Sequence, residues 1–187
     1  MRIVCIGWGS LLWKPGALQL SSPWQPGGPA LPLEFARDSD DSDDSDELAL
    51  VITEGAALMP TFRAAMAATD LGTARAQLLE REKVSNDHPE WIGSIPAPDG
   101  GREEPRIAAW LASQPFDAAV WTALPPKFGN VNGRVPGIAE ALALLAAKQG
   151  DARQHAQDYV RRIPPSIMTA YRRQFEQQLG WTCISGL

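Results

Sequence analysis

The segment Ile3-Val4-Cys5-Ile6-Gly7-Trp8-Gly9-Ser10 sets the architecture of the chain. Its first four residues are apolar and three of them are β-branched, which predicts a short buried strand. The strand leads into a turn with two glycines, and glycine lets the backbone take a positive φ and lets a ligand come close. Such a turn gathers backbone N–H groups at one point, an arrangement that can hold a carboxylate or an oxyanion. We expect this turn to form half of an active site, with a carboxylate as the other half.

The Gly-x-Gly pattern has two other interpretations. It can be only a tight turn after the strand. It can also open a dinucleotide fingerprint, which needs a third glycine at the start of a helix. Leu12 stands in place of that glycine, and Lys14-Pro15-Gly16 would break the helix. About 20 residues on, where an acidic ribose ligand is expected, the chain is rich in Pro and Gly instead. The sequence therefore disfavours a nucleotide-binding fold.

Length and composition limit the class of protein. The 187 residues suffice for one domain with a sizeable core, so we expect a single domain over 1–187. The net charge of −5 and the scattered basic residues argue against nucleic acid as a partner. The apolar start is too short for a signal peptide, and no apolar run reaches membrane-spanning length.

The cysteines and histidines bear on compartment and metal content. Cys5 and Cys183 are the only cysteines, too few for a disulfide framework, which fits a reducing, cytoplasmic location. We expect Cys5 to be a small core residue. Two histidines and two distant cysteines are poor material for zinc, so we expect no metal site.

An acidic run at 38–47 separates two predicted strands. Before it, Leu31, Leu33 and Phe35 alternate with other residues, which predicts a half-buried strand, and Pro32 places this strand at or near an edge. After it, 48–53 predicts a second strand, so the pair reads as a hairpin with a long solvated tip. A calcium-binding loop is disfavoured, because the run lacks the mid-loop glycine and the closing glutamate at the required spacing.

The expected carboxylate is Glu82. Thr69 or Thr73 is predicted to cap a helix that runs through Glu82. Burial and the negative end of the helix dipole both favour a protonated carboxyl, which suits general acid–base work near neutral pH. The alternative is a frayed helix end at which Glu82 pairs with Arg81 or Lys83. Glu82 falls on the apolar stripe of this helix, which comprises Leu71, Ala74, Leu78 and Leu79.

The second half of the chain predicts three short strands and then three helices. The strands are expected at 91–95, 107–111 and 118–123. The segment 125–134 suits either a polar ligand or an ordinary turn-rich connection, and the second is favoured. The helical extension covers about 136–180: one helix after Pro136 ends by Gly150, the next is capped by Asp151 and stops at Pro164, and Ser166 caps the last, which ends at Gly180. Strands first and helices last indicate an α+β fold.

Two motifs and the strand between them resemble one family. Ile6-Gly7-Trp8-Gly9-Ser10-Leu11 followed by Trp13-Lys14-Pro15-Gly16 resembles the Tyr-Gly-Ser-Leu and Trp-x-Pro-Gly opening of gamma-glutamylcyclotransferase-like proteins, most closely the glutathione-degrading ChaC type. The strand at 31–37 is similar to the segment that follows in that family. Leu78-Leu79-Glu80-Arg81-Glu82 resembles the family's Leu-x-x-Arg-Glu motif, whose glutamate is the catalytic acid–base. Trp8 departs from the usual tyrosine, and the helical last third has no recognisable counterpart.

The resemblance implies a fold, a reaction and a set of site residues. The fold would be a small mixed β-barrel flanked by helices. The enzyme, of lyase or acyltransferase type, would convert a γ-glutamyl amine or peptide, as in glutathione metabolism, to 5-oxoproline and a free amine or amino acid. Ring closure has proximity in its favour, so no metal or cofactor is expected. The resemblance makes Glu82 the general acid–base, and it makes the substrate-binding residues Gly7, Trp8, Gly9, Ser10 and Leu11.

Two other classes of function stay open. The same fold could be a non-catalytic module that recognises a small acidic metabolite. The chain could also be a protein–protein adaptor that uses the helical third and the acidic run, an interpretation that exposed apolar residues on the last helix would favour.

Overall fold

The computed structural model describes residues 1–38, 47–97 and 104–184. Contacts between residues divide the chain into two compact units, Met1–Leu31 with Pro60–Leu124 and Pro32–Met59 with Pro125–Leu187. The single domain expected over 1–187 stays a prediction. The acidic run at 38–47 lies outside the described residues, apart from Asp38 and Glu47 at its ends.

The described elements are ten strands and five α-helices. Short 3-10 helices lie at Gly9–Leu12 and Pro89–Trp91. The helices are α1 (Leu71–Arg81), α2 (Pro105–Leu111), α3 (Ile138–Ala147), α4 (Gly150–Arg162) and α5 (Ala170–Leu179). The strands are β1 (Ile3–Gly7), β2 (Gln25–Pro26), β3 (Leu31–Asp38), β4 (Leu48–Ile52), β5 (Leu58–Met59), β6 (Phe62–Ala65), β7 (Ile92–Ile95), β8 (Ala118–Thr122), β9 (Lys127–Phe128) and β10 (Val131–Asn132).

The sheet of the first unit is built around β1. Its strand order is β2-β6-β1-β8-β7, with β1 and β8 parallel and the other neighbours antiparallel. β1 is buried at all of its positions, which confirms the buried strand predicted from its apolar, β-branched residues. Because side chains alternate across a strand, Cys5 and Val120 share one face of this sheet. On that face they belong to an apolar cluster that includes Ala74 and Leu78 of α1.

One predicted strand of the first unit is wrong. Residues 107–111 form the greater part of α2, not a strand. Pro105 occupies the first turn, where its missing N–H costs nothing, and the Glu104 carboxylate caps the helix by accepting a hydrogen bond from the N–H of Arg106. The buried residues Ile107 and Leu111 are four apart, which is a helical period. The strands expected at 91–95 and 118–123 are confirmed as β7 and β8.

The sheet of the second unit has the order β10-β9-β3-β4, and β5 also pairs with β3. The predicted hairpin is confirmed, since β3 and β4 are antiparallel with Asp38 opposite Leu48. The expectation that β3 lies at or near an edge is confirmed, because β3 is one strand in from the edge, between β9 and the edge strand β4. Pro32 is tolerated because the pairing of β3 with β4 begins one residue later, at Leu33. β3 is also more than half-buried, with Leu33, Glu34, Phe35 and Ala36 all inside.

The connection at 125–134 forms the hairpin of β9 and β10. Gly129 and Asn130 join the two strands, and both have positive φ, as a tight two-residue hairpin turn requires. This agrees with the favoured interpretation of the segment as an ordinary connection.

The last third is helical as predicted, but two of its helix starts differ. α4 begins at Gly150, so Asp151 lies in its first turn and does not cap it. Thr169, rather than Ser166, caps α5 by accepting a hydrogen bond from the N–H of Arg172. Ser166 instead lies in a turn closed by the N–H of Ile167, which donates to Pro164. The predicted end of α5 at Gly180 is confirmed by its φ of 70°.

The α+β class is confirmed by these helices and by two mixed sheets. Among the described strands, no pairing closes either sheet into a barrel, so the implied β-barrel is not shown. No helix in the described ranges is long and apolar enough to cross a membrane.

Candidate functional site

The turn after β1 is a single 3-10 turn held by its own backbone. Trp8 precedes this helix in extended conformation, and no side chain caps the helix start. The N–H groups of Trp13 and Lys14 both donate to the carbonyl of Ser10, at 3.2 and 2.8 Å. The first N–H groups of such a helix have no partner within it. The binding of an anion by this backbone stays a prediction.

Each glycine of the turn occupies a position where a side chain would be unfavourable. Gly9 has a φ of 64°, a left-handed conformation that side chains disfavour. Gly7 needs the space that a side chain would fill, because a Cβ there would lie 2.5 Å from Cη2 of Trp24. The indole ring of Trp24 thus rests directly on the backbone at the end of β1.

Only part of the predicted binding segment offers side chains to a ligand. Trp8 is 5% exposed and Leu11 is 3% exposed, and Leu11 belongs to the apolar core cluster. Ser10 is half-buried, and its hydroxyl takes part in the hydrogen bonds described below. Leu11 can therefore contribute to a site only through its backbone.

Glu82 stands at an ordered helix end. The cap predicted at Thr69 or Thr73 is instead Asp70, whose carboxylate accepts from the N–H of Thr73, and α1 ends one residue earlier, at Arg81. Lys83 has a φ of 52°, its N–H donates to Glu80, and the N–H of Val84 donates to Leu79. These two bonds around a left-handed residue are a Schellman motif. The helix end is therefore fixed, and the frayed end considered as an alternative is wrong.

The carboxylate of Glu82 is nearly buried and is held by two donors. Nη1 of Arg81 lies 3.1 Å from its Oε1, which matches the pairing considered in the alternative interpretation. The hydroxyl of Thr122 donates to the same oxygen at 3.0 Å. The side chains of Arg81 and Glu82 are only 12% and 10% exposed. At that depth a charged pair is screened far less than a surface pair.

Arg81 joins this carboxylate to the glycine turn. Its Nη2 donates to the Ser10 hydroxyl at 2.9 Å. Its Nε and Nη2 also donate to the carbonyl of Lys14, at 3.1 and 3.0 Å. The two halves of the expected site, the turn and Glu82, are therefore brought together through one guanidinium.

Cys5 lies on the sheet face beneath these groups. Burial, and to a lesser extent the charge of Glu82, raises the pKa of its thiol to about 12 against the opposing charge of Arg81. The thiol is therefore protonated at neutral pH and is no nucleophile. This confirms the interpretation of Cys5 as a core residue. Throughout the described ranges, no three His, Cys, Asp or Glu side chains come together in a group that could hold a metal ion.

Sequence reasoning missed Thr122. A signal for it exists, since Ile6 and Trp121 are partners in the parallel pair of β1 and β8. The carboxyl ends of parallel strands meet at one edge of a sheet, so Thr122 lies beside Gly7. Finding this residue required knowing that β8 pairs with β1.

Comparisons with protein-family models, with curated proteins and with solved structures find no match to this chain.

Proposed function

We propose that the chain is a gamma-glutamylcyclotransferase-like enzyme that converts a γ-glutamyl amine or peptide to 5-oxoproline and a free amine. One observation carries the proposal. A nearly buried carboxylate, that of Glu82, is tied through Arg81 to the Ser10 hydroxyl of a glycine turn. This arrangement supports the proposal, because an intramolecular aminolysis needs a proton acceptor and a backbone that can hold an oxyanion, and Glu82 and the turn would supply them.

Glu82 is the proposed general acid–base. The α-ammonium of the substrate must lose a proton before its nitrogen can attack the γ-carbonyl carbon. Within the described residues, the two hydrogen bonds to the carboxylate both reach Oε1. We therefore assign proton transfer to Oε2.

The bond changes are balanced without consuming water. The α-nitrogen forms a bond to the γ-carbon, and the bond from that carbon to the leaving nitrogen breaks. Two protons leave the attacking nitrogen and two reach the leaving nitrogen, so the amine departs as an ammonium ion. Glu82 carries protons between the two nitrogens, and because both belong to one substrate, ring closure needs no second reactant.

The backbone of the turn is the proposed partner for substrate oxygens. The N–H groups within Gly7 to Leu11 would hold the α-carboxylate or the oxygen that becomes negative during attack. Trp8, whose indole replaces the tyrosine ring usual in the family that this segment resembles, is 5% exposed and would therefore contribute chiefly through its backbone.

The proposal is tested by incubating the protein with γ-glutamyl amines, γ-glutamyl dipeptides and glutathione and measuring 5-oxoproline. We expect product from at least one compound and loss of product in Glu82→Gln. Glu80→Gln is the matched control, because it makes the same chemical change on an exposed residue of the same helix. Full activity in Glu82→Gln would contradict the proposed mechanism.

A second candidate is a non-catalytic module that binds a γ-glutamyl compound. The ion pair between Arg81 and Glu82 favours it, because a carboxylate held by a cation is suited to a static role as well as to proton transfer. Tight binding without turnover, unchanged in Glu82→Gln, would support this function.

The adaptor interpretation depended on exposed apolar residues on the last helix, and the described part of α5 has no large one. The large apolar residues exposed in the described ranges are Met1, Leu58, Val131, Val135 and Ile184, and none belongs to α5.

A further inference from the structure

The guanidinium of Arg81 is almost fully committed to the protein itself. Arginine has five N–H donors and no acceptor. Four of them are used: Nε and Nη2 bind Lys14 O, Nη2 also binds Ser10 Oγ, and Nη1 binds Glu82 Oε1. A bidentate clamp on a substrate carboxylate needs two parallel donors, and one remains. Arg81 is therefore unsuited to be the anion-binding residue of the site.

The same geometry fixes the direction of the Ser10 hydroxyl. Because Arg81 can only donate, Ser10 Oγ accepts from it. The hydrogen of Ser10 is then left to donate elsewhere, and none of the described residues accepts it. The partner of that hydrogen is an acceptor, such as a carboxylate or carbonyl oxygen of a ligand.

The carboxylate is given the opposite polarity. Ionised Glu82 can only accept, and Arg81 and Thr122 occupy Oε1. Oε2 is left to face a donor such as an ammonium group. The Arg81 side chain thus gives the site two ends, one at Ser10 that favours a ligand oxygen and one at Glu82 that favours a ligand nitrogen.

We propose that Arg81 is a positioning residue that orients the Ser10 hydroxyl and the Glu82 carboxylate together, so that a γ-glutamyl group binds with its oxygen at Ser10 and its amine at Glu82. This inference rests on the proposed function. It adds the residue that imposes the orientation of the substrate, and the part of the Ser10 hydroxyl in that orientation.

The first test is a double-mutant cycle on activity. Arg81→Lys keeps the charge but loses the planar fork, and the resulting misplacement is expected to lower kcat by up to about 100-fold. Ser10→Ala removes one hydrogen bond to substrate and is expected to lower kcat/KM about 10-fold or more. Because Arg81 acts through Ser10, the double variant should be little worse than Arg81→Lys alone. If the fold-losses of the two single variants multiply in the double variant, the inference is wrong.

The chain supplies matched controls on the same helix. Arg75 is also half-buried and donates to the carbonyls of Ile92 and Pro89 and to the hydroxyl of Ser94. Arg75→Lys and Ser94→Ala therefore repeat the two changes at a structural network. We expect both controls to keep kcat within about twofold of wild type, because neither residue touches Glu82 or the turn. Equal losses at both networks would overturn a positioning role for Arg81.

A comparison of kcat with KM separates positioning from mere support of the fold. Loss of folded protein lowers the apparent kcat and leaves KM unchanged, whereas a misplaced Ser10 hydroxyl should also raise KM. Arg81→Gln keeps a planar amide but cannot hold Ser10 and Glu82 at once, so it should lower kcat and raise KM. Arg75→Gln should leave KM unchanged. If Arg81→Lys does not fold, the cycle with Ser10→Ala is repeated with Arg81→Gln.

The inference and the proposed function fail separately. If wild type forms product but Arg81→Lys is as active as wild type, the function stands and the inference is wrong. If wild type forms no product, the proposed function is wrong, and calorimetric binding of glutathione to wild type, Arg81→Lys and Ser10→Ala decides the inference. Weaker binding in both variants supports it. Equal binding in all three, or none in wild type, overturns it.

Discussion

The hydroxyl of Thr122, the last residue of β8, donates a 3.0 Å hydrogen bond to Oε1 of Glu82, the C-cap of α1. The bond ties the end of a central strand to the end of the helix that covers the sheet. Thr122→Val keeps the shape and removes the donor. We expect kcat to fall about 10- to 100-fold, since a hydrogen bond to a charged group contributes about 1.5 to 3 kcal/mol. Thr122→Ser, which keeps the hydroxyl, should retain most activity, and equal losses in both variants would contradict the assignment.

Gly16 is expected to be needed both for its conformation and for the space beside Arg81. It has a φ of 58°, and a Cβ there would lie 3.1 Å from Cγ of Arg81. Gly16→Ala should therefore destabilise the protein and also reduce 5-oxoproline formation. Gly150→Ala is the control, because Gly150 has a φ of 55° and no atom within 4 Å of the added Cβ. Urea unfolding should show a cost of about 1 to 2 kcal/mol in both variants. 5-Oxoproline formation should fall only in Gly16→Ala. If both variants keep full activity, Arg81 tolerates the added methyl group and the prediction is wrong.

Lys83→Gly is expected to stabilise the first unit. Lys83 is an exposed residue in the left-handed conformation that closes α1, a position that glycine takes without strain. Relief of that strain, offset by the greater freedom of glycine in the unfolded chain, should raise the free energy of unfolding by about 0.5 to 1 kcal/mol. Thermal and urea unfolding measure the change. A lower stability would mean that the lysine side chain makes a favourable contact that outweighs the strain.

Glu34 is expected to make the stability of the second unit depend on pH. Burial raises the pKa of its carboxyl above the ordinary value of 4.5, although Thr169 and the N–H groups of Phe35 and Tyr171 donate hydrogen bonds that oppose the shift. A pKa that is higher in the folded state means that the native protein binds the proton more tightly than the unfolded chain. The contribution to stability is therefore complete below pH 4.5 and is lost as pH rises through the folded pKa.

The check on Glu34 is a comparison with Glu34→Gln. The difference in unfolding free energy, wild type minus variant, should fall as pH rises above 4.5, because only wild type has the titrating group. Urea unfolding at several pH values between 4 and 8 would measure it. A difference that rises over this interval would mean that the hydrogen bonds to the ionised carboxylate outweigh its burial.

The sequence predicts well wherever local chemistry decides the structure. β-Branched apolar residues identified β1, alternation identified β3, and Gly180 marked the end of α5 because glycine closes helices in the left-handed conformation. The strand expected at 107–111 failed for a local reason too. The segment 107–111 is short and mostly apolar, which resembles a strand. The capping residue Glu104, Pro105 in the first turn and the spacing of four between Ile107 and Leu111 indicate a helix instead.

The candidate site was predictable in its two ends but not in the link between them. The glycine turn and Glu82 stand out by residue type and spacing. Arg81 looked like one possible partner of Glu82, and nothing local shows that it also reaches Ser10 and Lys14. Thr122 depends on a pairing between strands far apart in the chain, which periodicity does not encode. Long-range register, and not residue chemistry, limited the prediction.

The parallel pairing of β1 with β8 also bears on how the protein is made. Ile3 is paired with Ala118, more than a hundred residues later in the chain. At translation rates of about 5 to 20 residues per second, the apolar strand β1 waits roughly 5 to 20 s for that neighbour. During this interval one hydrogen-bonding edge of the most buried strand stays unpaired, which is a condition that invites misassociation. The nascent chain is therefore expected to be most dependent on chaperones before Thr122 emerges from the ribosome.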